Sequence, residues 1–523
     1  MVNNNILNEN YWISFDVKKT DIEFIYNYLL EKETPQSTNI LIQALVEHRI
    51  ASEKEKQLTS SNSNEKIYFP KDQYSVGDTL VFPSLGYIKG EITAIRTGFN
   101  PDVESLSVIS VELEDKSSKS FASGVEDHPL NHFFDLSDDD PNFDSNIIME
   151  NHGPHLTEVI EASLVENEDL VRIAGNWFPR SLLVDIHLGH LNLVEAILEE
   201  AHGGPIGTAK LMDLVDLNAG VERNLLEFSF NLALQEDERF DEVGPAGETL
   251  WFLHAMEPEF VRKTPLFLKN SVDSSSNDTL DEYLALFDSS IFDELEKQDF
   301  QNINSNEAVI SLSYPHWRSG TLPLPRTLSK MFPTAYEAPR VRFTFVDGNE
   351  KFSGWVIRAE KYVYGLADWY KKNDIISGSL IKVRKGKTPG EINISFDKSR
   401  QNKEWLKTIL VGSDNGIVFA MLKQPINADY NDRMALVVTD VEALDDLWKK
   451  KTFSSEPLQK TVNRILRELI KLNPQGQVHG QEIYASVNVL RRCPPGIVIQ
   501  VLLADPAIEY LGDLFFRFKE KGT

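Results

Sequence analysis

Four cations stand close together in the run LIKVRKGK: Lys382, Arg384, Lys385 and Lys387. Apolar and basic residues alternate up to Arg384, so Lys382 and Arg384 share one face of a strand. Gly386 then turns the chain. Side chains of this type on a strand end and its turn can reach a phosphate backbone, where phosphate contacts position a ligand and base contacts specify it. Arg340, Arg342, Arg358 and Lys361 lie upstream in the same basic stretch. Between positions 340 and 407 there are 15 Lys+Arg against 8 Asp+Glu. A third basic group, Arg464, Arg467, Arg491 and Arg492, lies near the C-terminus. Arginine is the usual reader of guanine edges. The competing reading of KVRKGK is an ordinary solvated hairpin.

Other reactive residues offer less. The single cysteine, Cys493, follows Arg491 and Arg492, which could lower its pKa, but it precedes two prolines and has no His partner. It reads as structural. One cysteine excludes a disulfide within the chain and any CxxC zinc motif, which fits a reducing, cytoplasmic setting. His128, His132 and the acidic run at 135–150 lack the Gly and Glu of a calcium loop. His187, His190 and His202 lack HExxH spacing. GxxxxGK[ST] and GxSxG are also absent, and a nuclease-type carboxylate cluster is too common a pattern to read. No catalytic residue, metal site or cofactor is therefore expected. No run of ~18 apolar residues suggests a membrane span, and the N-terminus lacks the pattern of a secretory signal.

The elements that position these residues read as a multi-domain α+β chain. Its 523 residues are too many for one core. Residues 1–66 read as a helical pair ending in a polar linker at 59–64. Residues 67–135 have strand grammar broken by Gly, Pro and Asp. Residues 135–150 read as an acidic linker. Residues 150–256 contain three helices, the second with Thr208 as its N-cap, and then a hairpin around GPAG. Residues 270–305 read as a Ser/Asp/Asn linker with acidic helices, the strongest boundary in the chain. Residues 310–400 are mostly strands. Residues 404–450 alternate strands and end in a helix. Residues 453–519 repeat three helices and a hairpin, with Ser455 as the first cap. Charge divides unevenly. Residues 1–300 carry 21 Lys+Arg and 56 Asp+Glu, whereas 301–523 carry 32 and 24. The total of −27 thus hides a basic C-terminal part, and phosphate binding needs a local positive surface.

Three resemblances sharpen this outline. Residues 76–95, with Val76-Gly77-Asp78 leading into a strand and Gly86 and Gly90 flanking a turn, resemble the small barrels of the Tudor/KOW type, including that of CarD-like transcription factors. Residues 181–254, with three helices and the wing residues Arg239, Phe240, Val243, Gly244, Gly247 and Trp251, resemble HARE-HTH winged helices, as in the RNA polymerase delta subunit. This copy is acidic, which implies protein packing rather than DNA contact. The segment at 453–519 has the same form in a basic version. Residues 341–348, Trp355-Val356, Gly365-Leu366, Trp369-Tyr370, Ile376, Gly378 and 380–383 resemble the seven-stranded DNA-binding pseudobarrel of plant B-three-type transcription factors and of some restriction endonucleases. Ser379 and Leu366 depart from that pattern, which usually has Asp and Trp there. Trp355, Trp369 and Tyr370 are expected in the barrel core.

The resemblances imply a non-enzymatic DNA-binding protein, associated with transcription or the genome. Duplex DNA would be held by the pseudobarrel and the basic winged helix, with Arg340, Arg342, Arg358 and Lys361 on one arm and Lys382, Arg384, Lys385 and Lys387 on another. The acidic half would meet a protein such as RNA polymerase. Two alternatives remain at this point: the recognition subunit of a restriction or defence complex with a separate nuclease subunit, and an RNA- or ribosome-associated factor.

Overall fold

A computed structural model describes residues 9–62, 66–82, 85, 88–99, 106–114, 116–126, 128–131, 143–217, 220–270, 280–296, 306–336, 338–412 and 416–519. The chain is mixed α+β and divides into two compact units, one of residues 1–185 with 219–229, the other of 186–218 with 230–523.

In the first unit, helices Lys19–Lys32 and Thr38–Asn62 flank a short strand, Gln36–Ser37. Helix Ser145–Val165 and the hairpin Leu170–Ile173 with Asn176–Pro179 complete this body, and the last strand lies between the other two. Ile25, Leu29, Leu41, Leu45, Leu156, Ile160 and Trp177 form its core. The helical pair expected at 1–66 is therefore part of a body of three long helices and three strands, with the short helix Glu9–Ile13 packed into its core through Trp12. Residues 59–62 continue the second helix, and 63–64 of the expected linker lie outside the described residues. Between the second and third helices the chain inserts a five-stranded sheet with strands in chain order, built on Tyr68, Leu80, Phe82, Ile92, Ile109 and Val111. Gly90 does not flank a turn. It sits in strand Ile88–Thr97, where a Cβ would strike the side chains of Val111 and Leu113. Gly86, His132 and residues 135–142 of the acidic stretch lie outside the described residues.

Residues 188–253 repeat the same order of elements: helix Leu188–Glu200, strand Ile206–Gly207, helices Thr208–Leu214 and Arg223–Gln235, and hairpin Phe240–Glu242 with Leu250–Leu253. So do residues 458–518, with Leu458–Leu472, Val478–His479, Gly480–Leu490, Pro495–Ala504, and Ile508–Tyr510 with Phe515–Phe518. All three sheets place the last strand in the middle. The registers coincide too: Trp177 pairs with Gln36, Trp251 with Ile206, and Phe516 with Val478.

The two buried tryptophans need a partner for the indole N–H, and both copies supply it in the same way. Trp177 Nε1 donates to Thr38 Oγ1 (3.0 Å), whose hydroxyl donates to Glu161 on the third helix (2.8 Å). Trp251 Nε1 donates to Thr208 Oγ1 (3.1 Å), whose hydroxyl donates to Asn231 on the third helix (2.6 Å). Thr208 is thus a buried first-turn residue, and Gly207 occupies the N-cap. In the C-terminal copy Phe516 has no N–H to satisfy, and Gly480 stands where the others have threonine. There the first helix is capped at Pro457 rather than Ser455.

The largest sheet has seven strands: Glu307–Ser311, Thr321–Pro323, Arg340–Asp347, Glu350–Ile357, Tyr362–Tyr364, Leu380–Lys385 and Glu391–Ser395. Numbered along the chain, their spatial order is one, six, seven, three, four, five, two. The third and seventh strands run parallel, every other neighbouring pair antiparallel, and the sheet curls into a half-barrel. Short helices Arg326–Ser329 and Ala367–Lys372 follow the second and fifth strands. Strands three and four meet at a two-residue turn opened by Gly348 at φ +57°, a conformation that favours glycine. Phe343, Phe345, Val356, Val363, Trp369, Tyr370, Ile381 and Val383 fill the core. Trp355 is buried as well, but on the other face, against Val243, Phe252 and Val261 of the preceding segment. Strand alternation puts Val356 inside and Trp355 outside.

Residues 404–450 are resolved into a long hairpin, Lys403–Val411 with Ile417–Pro425, a third strand Leu436–Val438, and helix Val441–Lys449. Ile409, Phe419 and Leu436 share a core with the C-terminal helices. The described part of 270–305, expected as a linker with acidic helices, holds one short acidic helix, Asp281–Leu284, and packs into two cores. Leu280, Leu284, Phe287 and Ile291 enter the C-terminal core and Phe292 enters the barrel core. Residues 271–279 and 297–305 lie outside the described residues. No single helix among the described residues is long and apolar enough to cross a membrane.

Candidate nucleic-acid interface

The hairpin of the sixth and seventh barrel strands presents its cations to solvent. Lys385 and Lys387 are exposed and form no ion pair among the described residues. Lys382 pairs with Asp397 at 2.6 Å and Arg384 with Glu307 at 2.5 Å, and both carboxylates are more than a third exposed. Pairs this exposed contribute little, so each cation can exchange its carboxylate for a phosphate at low cost. Of the twelve residues singled out in the sequence, these four share one hairpin, Lys382 and Arg384 on its outer strand face and Lys385 and Lys387 at the strand end and turn.

The other arm is committed within the protein. Arg340 Nη1 sits 2.8 Å from Glu257 Oε2 and 3.4 Å from Asp241 Oδ2, both on the preceding segment. Arg342 lies over the Phe252 ring and donates to Ser353 Oγ. Arg358 donates to Ser329 and to the carbonyls of Phe332 (3.1 Å) and Pro333 (2.7 Å), tying the loop after the first short helix to the sheet. Burial lowers the pKa of both Arg342 and Arg358. Lys361 alone remains exposed, in a turn where its φ is +57°.

The C-terminal basic group also divides. Arg464 pairs with Glu456 at 3.2 Å and lies over Phe453. Arg467 is exposed, over Phe518. Arg491 and Arg492 are not surface cations, and their expected role as DNA contacts is corrected accordingly. Arg491 is buried and donates to the carbonyls of Phe453 and Glu456. Arg492 is 2% exposed and pairs with Asp293 (2.7 Å) and Glu294 (2.8 Å) of the acidic stretch that precedes the barrel. Tyr484 O–H donates to Asp293 at 2.6 Å, and His316 Nε2 donates to the Glu294 carboxylate at 2.9 Å. Burial pushes the Glu294 carboxyl up, but Arg492 and His316 outweigh it and hold the group below the usual carboxylate range. Burial pushes the Cys493 thiol up to about 12, against the lowering its arginine neighbours suggested. Glu296 accepts from Gly496 N–H at 2.6 Å, at the start of helix Pro495–Ala504, and that helix carries no charged residue.

Two features went unread in the sequence. Asp241, His254 and Glu257 converge closely enough to hold a metal ion. Arg340 already supplies a cation to the same carboxylate oxygens, and His254 Nδ1 lies 2.5 Å from Asp241 Oδ2. Arg340 therefore already stands as the cation of this cluster, and Glu257 Oε1 has no hydrogen-bond partner among the described residues. His187, by contrast, caps helix Leu188–Glu200 by accepting from Gly189 N–H. The second feature is a cleft of about 810 Å³ beside the barrel, lined in part by Trp317, Arg318, Tyr370, Lys371 and Asn427. Its lining comes from four separate stretches of the chain, which no local pattern could join. Comparison with known protein families, with curated proteins and with solved structures finds no match.

Proposed function

We propose that this chain is a non-enzymatic duplex-DNA-binding protein that meets the phosphate backbone through the hairpin bearing Lys382, Arg384, Lys385 and Lys387. The observation that carries the reading is the seven-stranded half-barrel, which contains the residues of the B-three-type resemblance and ends in a solvent-exposed basic hairpin. A barrel of this architecture, locally positive within a chain of net charge −27, suits a ligand that must be bound in one place and repelled elsewhere.

In the same reading the three repeated bodies are winged helices, since three helices with a two-stranded hairpin define that form. Their third helices favour packing over DNA reading. The C-terminal one has no cation and is capped by Glu296. The arm at Arg340, Arg342 and Arg358 serves to fix the barrel to the hairpin at 240–253. A role in transcription or genome maintenance, with a polymerase or nuclease partner on the acidic part, belongs to the same proposal. The test is equilibrium binding of the full chain to a random-sequence duplex across a salt series. Binding that weakens steeply with salt supports the reading, and no binding at low salt refutes it.

A further inference from the structure

The hairpin Lys403–Val411 with Ile417–Pro425 has a face that changes character along its length. Ile409, Phe419 and Ile417 lie on it under the C-terminal helices. Beyond Lys407, which is buried against Glu482, the face runs into solvent. There Trp405 is 61% exposed, directly across from Lys423, with Lys403 two residues away on the same side and Pro425 across from it. Lys403 and Lys423 are exposed and form no ion pair among the described residues. The nearest acid on these strands, Glu404, points to the opposite face by strand alternation.

Trp405 and, two residues from its partner Lys423, Met421 leave an aromatic and a thioether side chain open to a ligand on this face. The flanking residues indicate which kind. Lysine is depleted at protein–protein interfaces, whereas an aromatic ring set among cations is how proteins hold unpaired bases and their phosphates together. We propose that this end of the hairpin binds single-stranded nucleic acid, with a base stacked on Trp405 and phosphates on Lys403 and Lys423. The strand can continue past Pro425 into the cleft beside the barrel, which Pro425 also lines and where Trp317 and Lys371 stand. The surface lies on a different hairpin from Lys382–Lys387 and does not rest on the duplex reading.

The test uses the full chain and a fluorescein-labelled oligo(dT) of about 12 nucleotides, a length within the span of such sites. Anisotropy should show binding that falls with salt. Trp405→Ala should weaken it roughly five- to 150-fold, the range for loss of one base–aromatic stack. Trp405→Phe should restore most of the affinity. Lys403→Ala with Lys423→Ala should flatten the salt slope by about 1.4, at about 0.7 per single-strand phosphate contact. The quadruple change at Lys382, Arg384, Lys385 and Lys387 should leave oligo(dT) affinity unchanged, so failure of one surface is separable from failure of the other. Trp405→Ala should keep the wild-type melting temperature, because the ring is exposed. Equal affinity in wild type and Trp405→Ala overturns the proposal. So does an absence of oligo(dT) binding at low salt, and loss of a protein partner in Trp405→Ala without oligo(dT) binding would make the face a protein-docking site instead.

Discussion

Changing Lys382, Arg384, Lys385 and Lys387 together to alanine isolates the proposed duplex contact. Each phosphate contact to B-form DNA contributes about 0.9 to the slope of log K against log salt. The structure bounds how many contacts are available. Lys385 and Lys387 are exposed and form no ion pair among the described residues, so the proposal expects at least about 1.8 units of slope from them. Lys382 and Arg384 can join by leaving Asp397 and Glu307, which raises the ceiling to about 3.6. At the ceiling, a fourfold rise in salt should weaken the wild type about 150-fold more than the variant. The loss should be uniform across duplex sequences, since phosphate contacts carry no sequence information. Folding should be nearly unaffected, because exposed ion pairs contribute only about 0–1 kcal/mol each. Fluorescence anisotropy over a salt series, with a melting curve beside it, measures all three quantities. An unchanged slope would show that the hairpin is only a soluble surface, and a large drop in melting temperature would show that its ion pairs hold the barrel together.

Further outcomes follow from the interior. Thr38→Val and Thr208→Val should each cost about 1–3 kcal/mol in urea unfolding, because each leaves a buried indole N–H short of its acceptor, and Thr208→Val should cost less since Trp251 Nε1 also reaches Asn231 at 3.1 Å. Asp293→Asn with Glu294→Gln should cost about 3–5 kcal/mol by stranding Arg492 as a buried cation, and a wild-type urea midpoint would contradict the network. Burial raises the Glu257 carboxyl to about 7, with Asp241 adding to the shift and Arg340 opposing it. The folded pKa lies above the unfolded value, so the folded state binds more protons and stability falls as pH rises from about 4.5 to about 7. Glu257→Gln should therefore flatten that part of the stability–pH curve relative to wild type, and an identical curve would place the folded Glu257 carboxyl at its unfolded pKa.

What the sequence made legible was local. Alternation along 340–385 located the barrel strands, the Asp347-Gly348 turn joined two of them, and Trp369 and Tyr370 were read as core and lie there. The hairpins at 240–253 and 508–518 were marked by their glycine-containing turns. What escaped was long-range. The N-terminal three-helix body was missed because an entire five-stranded sheet is inserted between its second and third helices. Asp293 and Glu294 could not be read as buried partners of Arg492, which lies 199 and 198 residues away. Arg340 looked free for the same reason, with Glu257 83 residues before it. A charge in a sequence shows its sign and its local face, but not whether folding brings a counter-charge to it.

That limit bears on which part of the molecule can face DNA. A helix laid in a groove needs cations beside the phosphates on either side. The third helix of the N-terminal body, Ser145–Val165, has no lysine or arginine. That of the second body has only Arg223, with Glu227 one turn on, and that of the C-terminal body has no charged residue. The same device nevertheless recurs in the first two bodies: a buried tryptophan on the last strand, held by the threonine that begins the second helix and through it by the third helix. A third helix pinned from behind in this way has its position fixed by the body's own interior rather than by a ligand. Three bodies of one form with uncharged or acidic third helices are suited to packing against protein. Within the proposed function, that leaves phosphate contact to strands: the Lys382–Lys387 hairpin for duplex DNA, and the Trp405 face for a single strand.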